Sequence, residues 1–277
     1  MSRPSRRGGS PVSQTKTVSD VVAALTNEFP LEWAEEWDAV GLRVGDPSWP
    51  ATRALICLDA DIAAVMRAIE AGCDMLVTHH PPFLEPLDDL TPAAASSALA
   101  LAAARAGLAI VSMHTNLDRS PTGATALPEA LGLEIIKPLE APIPGLPKDV
   151  RMGRLCRVES TTLASLATRT GAALGCNPRV WGDPTAEVAT VAVGNGSVRS
   201  LIPAAIGAGA DVLLGGEVRY HDALDAVSSG LTIIEAGHDA TEWPMVGLLA
   251  EIVRGVLGKD GVIEEPAHVG WWTAKGE

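Results

Sequence analysis

Short apolar runs alternate with helical patterns in the first half of the chain. Segments 53–60, 73–80 and 108–114 are apolar runs of strand length, and alanine, valine and leucine recur at helical spacing between them. Gly72 and Gly107 end the two helical patterns. Strands and helices that alternate at this spacing form βαβ units. The pattern therefore predicts an α/β fold with mainly parallel sheets.

The same alternation resumes after a proline-rich segment, residues 134–150, which contains four prolines and favours a crossing between domains. We expect two similar, interleaved α/β domains. The first is predicted to comprise residues 17–135 and 236–277, with most of the candidate ligands, and the second residues 136–235. Residues 1–16 are basic and rich in serine, glycine and proline, which predicts a disordered tail.

A weak internal repeat relates the two halves. Residues 68–80 (AIEAGCDMLVTHH) align without gaps on residues 205–217 (AIGAGADVLLGGE). Any helix–glycine–strand unit produces some similarity of this kind, so coincidence is the competing explanation. If the repeat is real, the halves have similar folds and Glu217 occupies the place of His80.

Composition narrows the classes of function. The chain has 34 acidic against 21 basic residues, a net charge of −13 that disfavours nucleic-acid partners. Apolar runs are too short to span a bilayer, and the first residues lack the apolar core of a signal peptide. The four cysteines are far apart with no CxxC pair, which is typical of buried free thiols. We therefore expect a cytoplasmic protein without membrane partners.

Three polar clusters, THHPPF, HTNLD and GHDATEW, directly follow predicted strands. They contain three pairs of candidate residues: His79 and His80, His114 and Asp118, and His238 and Glu242. The carboxyl ends of strands are where an open α/β sheet forms its binding site. Imidazole and carboxylate together coordinate Zn, Fe, Mn or Co. The clusters therefore predict a metal site at the carboxyl ends of the strands.

Each cluster also has a simpler explanation. His79 and His80 can bind two different metal ions. Alternatively, one of them is functional or structural and the other is simply buried. The sequence favours neither interpretation. Asp118 is a good carboxylate ligand and His114 can bind or orient a ligand, but HTNLD is also an ordinary polar turn. Gly123 predicts a flexible loop after this cluster.

His238 and Glu242 are four residues apart at a predicted helix start, where they share one face. A glutamate there can instead complement the helix dipole. Glu217 and His221 have the same spacing after another strand and can line the same cleft, although a solvated helix start explains them as well. His268 is expected to be incidental. The sequence lacks GxxxxGK[ST], HExxH and GxSxG motifs, which disfavours the corresponding enzyme classes.

In order, EEWDAVGLRVGD, CDMLVTHHPPFLEPL, HTNLD, GGEVRYHDALDA and GHDATEWP resemble the motifs of the NIF-three-like dinuclear metal proteins, catalogued as GTP cyclohydrolase I type 2 homologues. The resemblance implies two divalent ions in one site, with Zn, Fe or Mn expected, and a toroidal homohexamer. The ligands it implies are His79, His80, Asp118, His238 and Glu242. Glu242 would bridge both ions, with His80 and Asp118 on one and His79 and His238 on the other.

Two departures from the family pattern affect this reading. The loop RSPTGATALPEALGL stands where the family commonly has a double glycine and an asparagine, on the substrate side of the site. Some members also carry an extra domain in the middle of the chain, and residues 134–214 are too few to hold one.

The function implied is a dinuclear metal-dependent hydrolase that uses metal-activated water on a nucleotide or related small molecule; in a GTP cyclohydrolase-type reaction, C8 of guanine would be attacked. Glu217, His221 and His114 are the candidate proton shuttles. The alternatives are a non-enzymatic metal-binding or metal-delivery protein and, on the expected oligomer alone, a regulatory scaffold.

Overall fold

The computed structural model describes residues 15–266, 271, 272 and 274, which form two β-sheets with helices against both. The strands are β1 (Gly41–Val44), β2 (Ala54–Cys57), β3 (Met75–Thr78), β4 (Ala109–Ser112), β5 (Glu134–Pro138), β6 (Arg154–Thr162), β7 (Arg179–Trp181), β8 (Glu187–Val193), β9 (Val212–Gly215), β10 (Thr232–Glu235) and β11 (Val262–Glu264). The helices are α1 (Val18–Glu28), α2 (Ile62–Glu70), α3 (Ala95–Ala106), α4 (Thr115–Arg119), α5 (Pro121–Ala130), α6 (Leu163–Leu174), α7 (Ile202–Gly207), α8 (Tyr220–Ser228) and α9 (His238–Leu257). The predicted α/β class is confirmed.

The first sheet has the order β1-β4-β3-β2-β11 and is mainly parallel, as predicted. Only β1, at its edge, is antiparallel to its neighbour. Strands β2, β3 and β4 are buried along their whole length because successive side chains point to opposite, covered faces. Ile56 and Val77 pack towards α1 and α9, whereas Leu55 and Leu76 pack towards α2 and α3.

The second sheet has the order β5-β6-β8-β9-β10-β7 and is mixed. Its centre, β8-β9-β10, is parallel, but the other three pairings are antiparallel. The prediction of mainly parallel sheets therefore holds for the first sheet and not for the second. The reason is local: residues 139–153 contain no crossover helix, so the chain returns from β5 into β6 in the antiparallel direction.

The internal repeat is reproduced in three dimensions. Strands β3 and β9 are the aligned segments, and each lies between two parallel neighbours. The aligned residues Asp74 and Asp211 also make the same contacts. Asp74 Oδ2 accepts hydrogen bonds from the backbone and hydroxyl of Thr52, and Asp211 Oδ2 accepts them from the backbone and hydroxyl of Thr190. This shared pattern makes coincidence a poor explanation of the repeat.

Helix α9 returns the chain from the second sheet to the first. It starts three residues after β10, and its buried face, including Met245 and Leu249, packs in the core beside α1 and the first sheet. The order of elements is therefore interleaved, although the predicted domain limits stay predictions. Residues 1–14 of the predicted tail, and His268, lie outside the described residues.

Two further expectations concern cysteines and membranes. Cys57, Cys73 and Cys156 are buried, Cys176 is partly buried, and all four are free thiols. Among the described helices, none combines the length and the apolar character needed to cross a membrane.

Candidate metal centre

The five predicted metal ligands converge where the two sheets meet. His79 and His80 directly follow β3, and Asp118 lies in the short helix α4 that follows β4. His238 begins α9 and Glu242 lies one turn further along the same helix face. Strands β3 and β4 are parallel neighbours, so their carboxyl ends lie side by side.

Glu242 lies at the centre of the cluster and is 4% exposed. Its Oε2 is 2.8 Å from His80 Nε2 and 3.0 Å from His238 Nε2, while its Oε1 is 3.8 Å from His79 Nε2. Burial raises the pKa of this carboxyl, but its contacts with the three histidines hold the pKa well below the usual value. The two oxygens of one carboxylate thus contact two separate groups of ligand atoms.

His79 provides the test of whether a cation fits. The side chain is fully buried, and its Nδ1 donates a hydrogen bond to the carbonyl of Met113 at 2.9 Å. Among the residues that the structure describes, its Nε2 has no hydrogen-bond partner, and it lies 3.7 Å from Asp118 Oδ2 and 3.8 Å from Glu242 Oε1. Metal bonds of about 2.0–2.2 Å place ligand atoms roughly 3–4 Å apart, so the arrangement fits a divalent cation.

The surroundings of His79 favour positive charge. Burial lowers the pKa of His79, but Asp118 and Glu242 outweigh it and raise the pKa above its ordinary value. Burial raises the pKa of Asp118 above its ordinary value, and the neighbouring carboxylate of Glu242 raises it further, against the opposing effect of His79. Either a proton or a metal ion reduces the repulsion between these carboxylates, and only the ion satisfies all three donors together.

The ligand atoms form groups that differ from those implied by the family resemblance. His79 lies with Asp118 and Glu242, and His80 lies with His238 and Glu242, each set within 4.8 Å. These distances favour a different pairing from the expected one of His80 with Asp118 and of His79 with His238, which stays a prediction. The physical reason is that adjacent residues at a strand end point in different directions. His79 points into the core beside Asp118, whereas His80 points outward to His238.

Two carboxylates orient the more exposed histidines. His80 Nδ1 donates to Asp59 Oδ1 at 2.8 Å, and His238 Nδ1 lies 3.3 Å from Glu217 Oε1. Burial lowers the pKa of His80, but Asp59 and Glu242 raise it to about 10. The contact with Glu242 raises the pKa of His238 to about 9. Carboxylates that hold the second nitrogen of an imidazole are typical of metal sites.

His114, a predicted proton shuttle, is held beside the ligands by Asp38. Its ring centre is 5.2 Å from that of His79, and His114 Nδ1 donates to Asp38 Oδ1 at 2.9 Å. Asp38 also accepts hydrogen bonds from the backbone and hydroxyl of Thr115. Burial raises the pKa of Asp38, but His114 and Thr115 lower it to about 2. Asp38 belongs to the motif EEWDAVGLRVGD, but its role beside the candidate ligands was not predicted.

The other two predicted shuttles are placed differently. Glu217 contacts His238 and is largely exposed. His221 is exposed on α8, packs edge-on against Tyr220 and does not line the cavity beside the ligands. The helical face expected for the pair does not form, because α8 begins at Tyr220 and Glu217 precedes it. The roles of both residues stay predictions.

A glycine loop after β8 was not predicted as part of the site. Gly196 has φ +52°, and a Cβ there would lie 2.0 Å from Glu242 Oε1 and 2.9 Å from His238 Nε2. Its N–H donates to Thr241 Oγ1, and the neighbouring Asn195 donates to Asp118 Oδ1. The second sheet therefore closes one side of the ligand cluster with backbone, and only glycine leaves room for the ligands.

The predicted flexible loop at Gly123 is instead helical. Ser120 begins α5, its hydroxyl accepts a hydrogen bond from Gly123 N, and Pro121 takes the first helical position. A Cβ at residue 123 would lie 1.9 Å from the carbonyl oxygen of Leu117, so the glycine permits close packing of α5 on α4. The prediction of flexibility here is wrong.

A cavity of about 940 Å³ opens from the ligands to the surface. Asp118, His238 and Glu242 form part of its wall, together with His114 and the aromatic side chain of Trp37. Its volume falls in the range, roughly 300–1,000 Å³, of cavities that hold small molecules. The ligand cluster is therefore accessible to a molecule larger than water.

Comparisons with known proteins agree on one family. A sequence model described as Duf34/NIF3 (NGG1p interacting factor 3) matches residues 16–264. A Streptomyces coelicolor protein named GTP cyclohydrolase 1 type 2 homolog is 36% identical over 251 residues, covering 88% of each chain. The NIF3-like protein 1 of Drosophila melanogaster is 28% identical over 228 residues, covering 80% of this chain and 76% of that one.

A solved structure shows the same fold. The crystal structure of a Bacillus cereus protein related to NIF3 superposes with a TM-score of 0.82 at 21% identity, covering 95% of this chain and 100% of that one. The arrangement of two sheets is therefore shared along nearly the whole chain.

Proposed function

The chain belongs to the Duf34/NIF3 family, and from this premise we propose that it is a dinuclear metal-dependent hydrolase that acts on a nucleotide or related small molecule. The observation that supports the proposal most is the position of Glu242, whose two oxygens contact two different ligand groups beside an open cavity. The Streptomyces relative is named GTP cyclohydrolase 1 type 2 homolog, which supports a nucleotide as the substrate class.

The ligand set supports two divalent ions. His79 and Asp118 would hold one, His80 and His238 the other, and Glu242 both. Nitrogen and carboxylate donors suit Zn, Fe or Mn. When bound, two such ions supply a water of lowered pKa that is nucleophilic at neutral pH.

The residues around the ligands support proton transfer. Because His114 Nδ1 donates to the buried carboxylate of Asp38, Nε2 is the ring nitrogen left for proton transfer. The ring centre of His114 lies 5.2 Å from that of His79 and 5.5 Å from that of His80. Trp37 packs edge-on against the ring of His114, and both side chains line the cavity beside the ligands. We assign proton transfer to His114 before Glu217, which is more exposed.

The alternative is a metal-binding or metal-delivery protein. Such a protein needs access for the ion alone, whereas this cavity of about 940 Å³ extends well beyond the ligands. The cavity therefore favours the hydrolase.

The test is a turnover screen of the metal-loaded protein across nucleotides and phosphoesters, with Glu242→Ala as the inactive variant. Glu251→Ala, an exposed glutamate on the same helix α9, is the matched control and should keep full activity. We expect turnover of at least one nucleotide that is abolished by chelation and by Glu242→Ala. Tight binding of two ions with no turnover of any compound would favour the delivery protein.

We also propose, from the family, that the protein is a cytoplasmic homohexamer. Exposed apolar side chains at Val180, Tyr220 and Leu224 support an assembly that covers them. Light scattering at micromolar concentration should give six times the mass of the chain, and a monomer would contradict the proposal.

A further inference from the structure

Two neighbouring loops of the second sheet pass the metal ligands and then reach the cavity wall. They follow the parallel strands β8 and β9 and are hydrogen-bonded to each other. The carbonyl of Gly196 accepts from Gly216 N and Glu217 N, and Val198 N donates to the carbonyl of Glu217. The first loop contacts Glu242 through Gly196, and the second contacts His238 through Glu217.

Each loop places an arginine in the cavity wall shortly after its contact with a ligand. Arg199 follows Gly196 by three residues and Arg219 follows Glu217 by two. An extended chain covers about 3.3–3.6 Å per residue, so both backbones lie within roughly 10 Å of the ligand contacts. A small phosphorylated molecule can span this distance with one end at the ligands and its phosphoryl group at the arginines.

Both guanidinium groups have N–H donors that are not engaged by the described residues. Arg199 donates through Nε to Asp222 Oδ2 at 2.8 Å, which leaves its two terminal nitrogens free for another acceptor. Within the part of the chain that the structure describes, Arg219 makes no ion pair and no side-chain hydrogen bond.

The acidic side chains of the cavity do not neutralise this pair. Glu35 is bonded to Arg119, and Asp222 is the partner that holds Arg199 in place. Asp118 and Glu242 belong to the ligand cluster, and Asp225, which lies on α8 as Asp222 does, is the remaining acid that lines the cavity. A guanidinium group can donate two parallel hydrogen bonds to two oxygens of one phosphoryl group. We therefore expect both arginines to bind a phosphoryl group even though the carboxylate of Asp225 lies on the same wall.

We propose that Arg199 and Arg219 form a subsite for the phosphoryl group of the substrate, which defines the substrate class as a phosphorylated small molecule. The inference rests on the proposed function, because it assumes that the reacting end of the same molecule lies at the metal ligands. Serine hydroxyls at Ser197 and Ser200 line the same wall and supply further donors.

The experiment measures binding separately from activity. Inorganic pyrophosphate is titrated calorimetrically into the full-length protein, kept metal-free by chelation, at constant ionic strength. We expect Arg199→Ala and Arg219→Ala each to weaken binding about tenfold, as the loss of a charged hydrogen-bond pair does. Arg219→Lys keeps the charge without the fork and should recover only part of the loss.

Two matched variants serve as controls. Arg157 is exposed and ion-paired with Glu134, like Arg199 with Asp222, and Arg169 is exposed on α6. Arg157→Ala and Arg169→Ala should bind pyrophosphate as the wild type does.

Equal binding by wild type and both cavity variants, or no binding by the wild type, would overturn the subsite. An oligonucleotide that binds the wild type more tightly than pyrophosphate would overturn the assignment to a small molecule. The outcome is separate from that of the turnover screen: loss of pyrophosphate binding in the variants supports the subsite even if no nucleotide is turned over.

Discussion

Replacing Gly196 by alanine should damage the metal centre without unfolding the protein. The added Cβ would lie 2.0 Å from Glu242 Oε1 and 2.9 Å from His238 Nε2, and these are atoms of two proposed ligands. An ordinary van der Waals contact needs 3.4 Å or more, so the carboxylate or the loop must move by about 1.4 Å. Metal–ligand distances tolerate only about 0.2 Å.

The expected magnitude has two parts. The residue has φ +52°, so any L-amino acid there costs about 1–2 kcal/mol of unfolding free energy. The clash also displaces the side chains of Glu242 and His238, which weakens metal binding. Loss of residues that merely orient ligands weakens metal binding about 10–100-fold, and displacing Glu242 should reach at least the upper end of that range.

Gly209→Ala isolates the effect of the clash. Gly209 has φ +68°, so it carries a similar backbone cost, but a Cβ there would meet no atom of the described residues within 4 Å. The assay compares metal affinity by chelator competition, and unfolding of the metal-free proteins by denaturant. Gly196→Ala should lose metal at least about 100-fold more readily than Gly209→Ala. Equal affinity in the two variants would refute the placement of this loop against Glu242.

Three further predictions follow from the contacts of the ligands. Glu242→Gln should lower metal content nearly as much as Glu242→Ala, because the shape is kept but the charge that balances two dications is lost. The double variant His80→Ala/His238→Ala should retain one ion per chain, because these two histidines share one ligand group. Asp38→Asn should lower the unfolding free energy of metal-free protein by about 2 kcal/mol at pH 6, because the pKa of Asp38 is lowered from 3.8 to about 2.

These predictions are checked by elemental analysis and by denaturant unfolding across pH. The Asp38 carboxylate stabilises the folded state above its ordinary pKa, so the difference from Asp38→Asn should vanish as pH falls from 3.8 to about 2. A difference that stays constant over that window would contradict the assignment. Full metal content and turnover in Glu242→Gln would show that Glu242 does not bridge the two ions. A His80→Ala/His238→Ala variant that binds no metal would show that the two ligand groups are not separate.

The parallel parts of both sheets were predictable because their strands are covered on both faces and read as continuous apolar runs. Strands β1, β5, β7 and β11 were missed because they are short, lie at sheet edges and are only partly buried. The mixed second sheet was missed because the pattern of a strand does not reveal its direction; direction depends on the connection before it, here residues 139–153.

The candidate ligands were predicted from the sequence because the polar clusters that contain them directly follow predicted strands. Their grouping was not predictable. Adjacent residues His79 and His80 point in different directions, and only the tertiary fold decides which of them lies beside Asp118. Asp38 and Gly196 were missed for a related reason: their partners His114 and Glu242 are distant in the chain. The sequence did contain two indications of these residues. Gly196 closely follows β8, and Asp38 lies within a family motif.

The proposed two-ion centre can be tested by measuring the metal content of each chain. Purified wild-type protein, dialysed against metal-free buffer, should contain close to two divalent ions per chain by elemental analysis. His79→Ala and Glu242→Ala should fall well below this, while His221→Ala, an exposed histidine outside the cavity, should retain both ions. Equal metal content in the wild type, His79→Ala and Glu242→Ala would contradict the account.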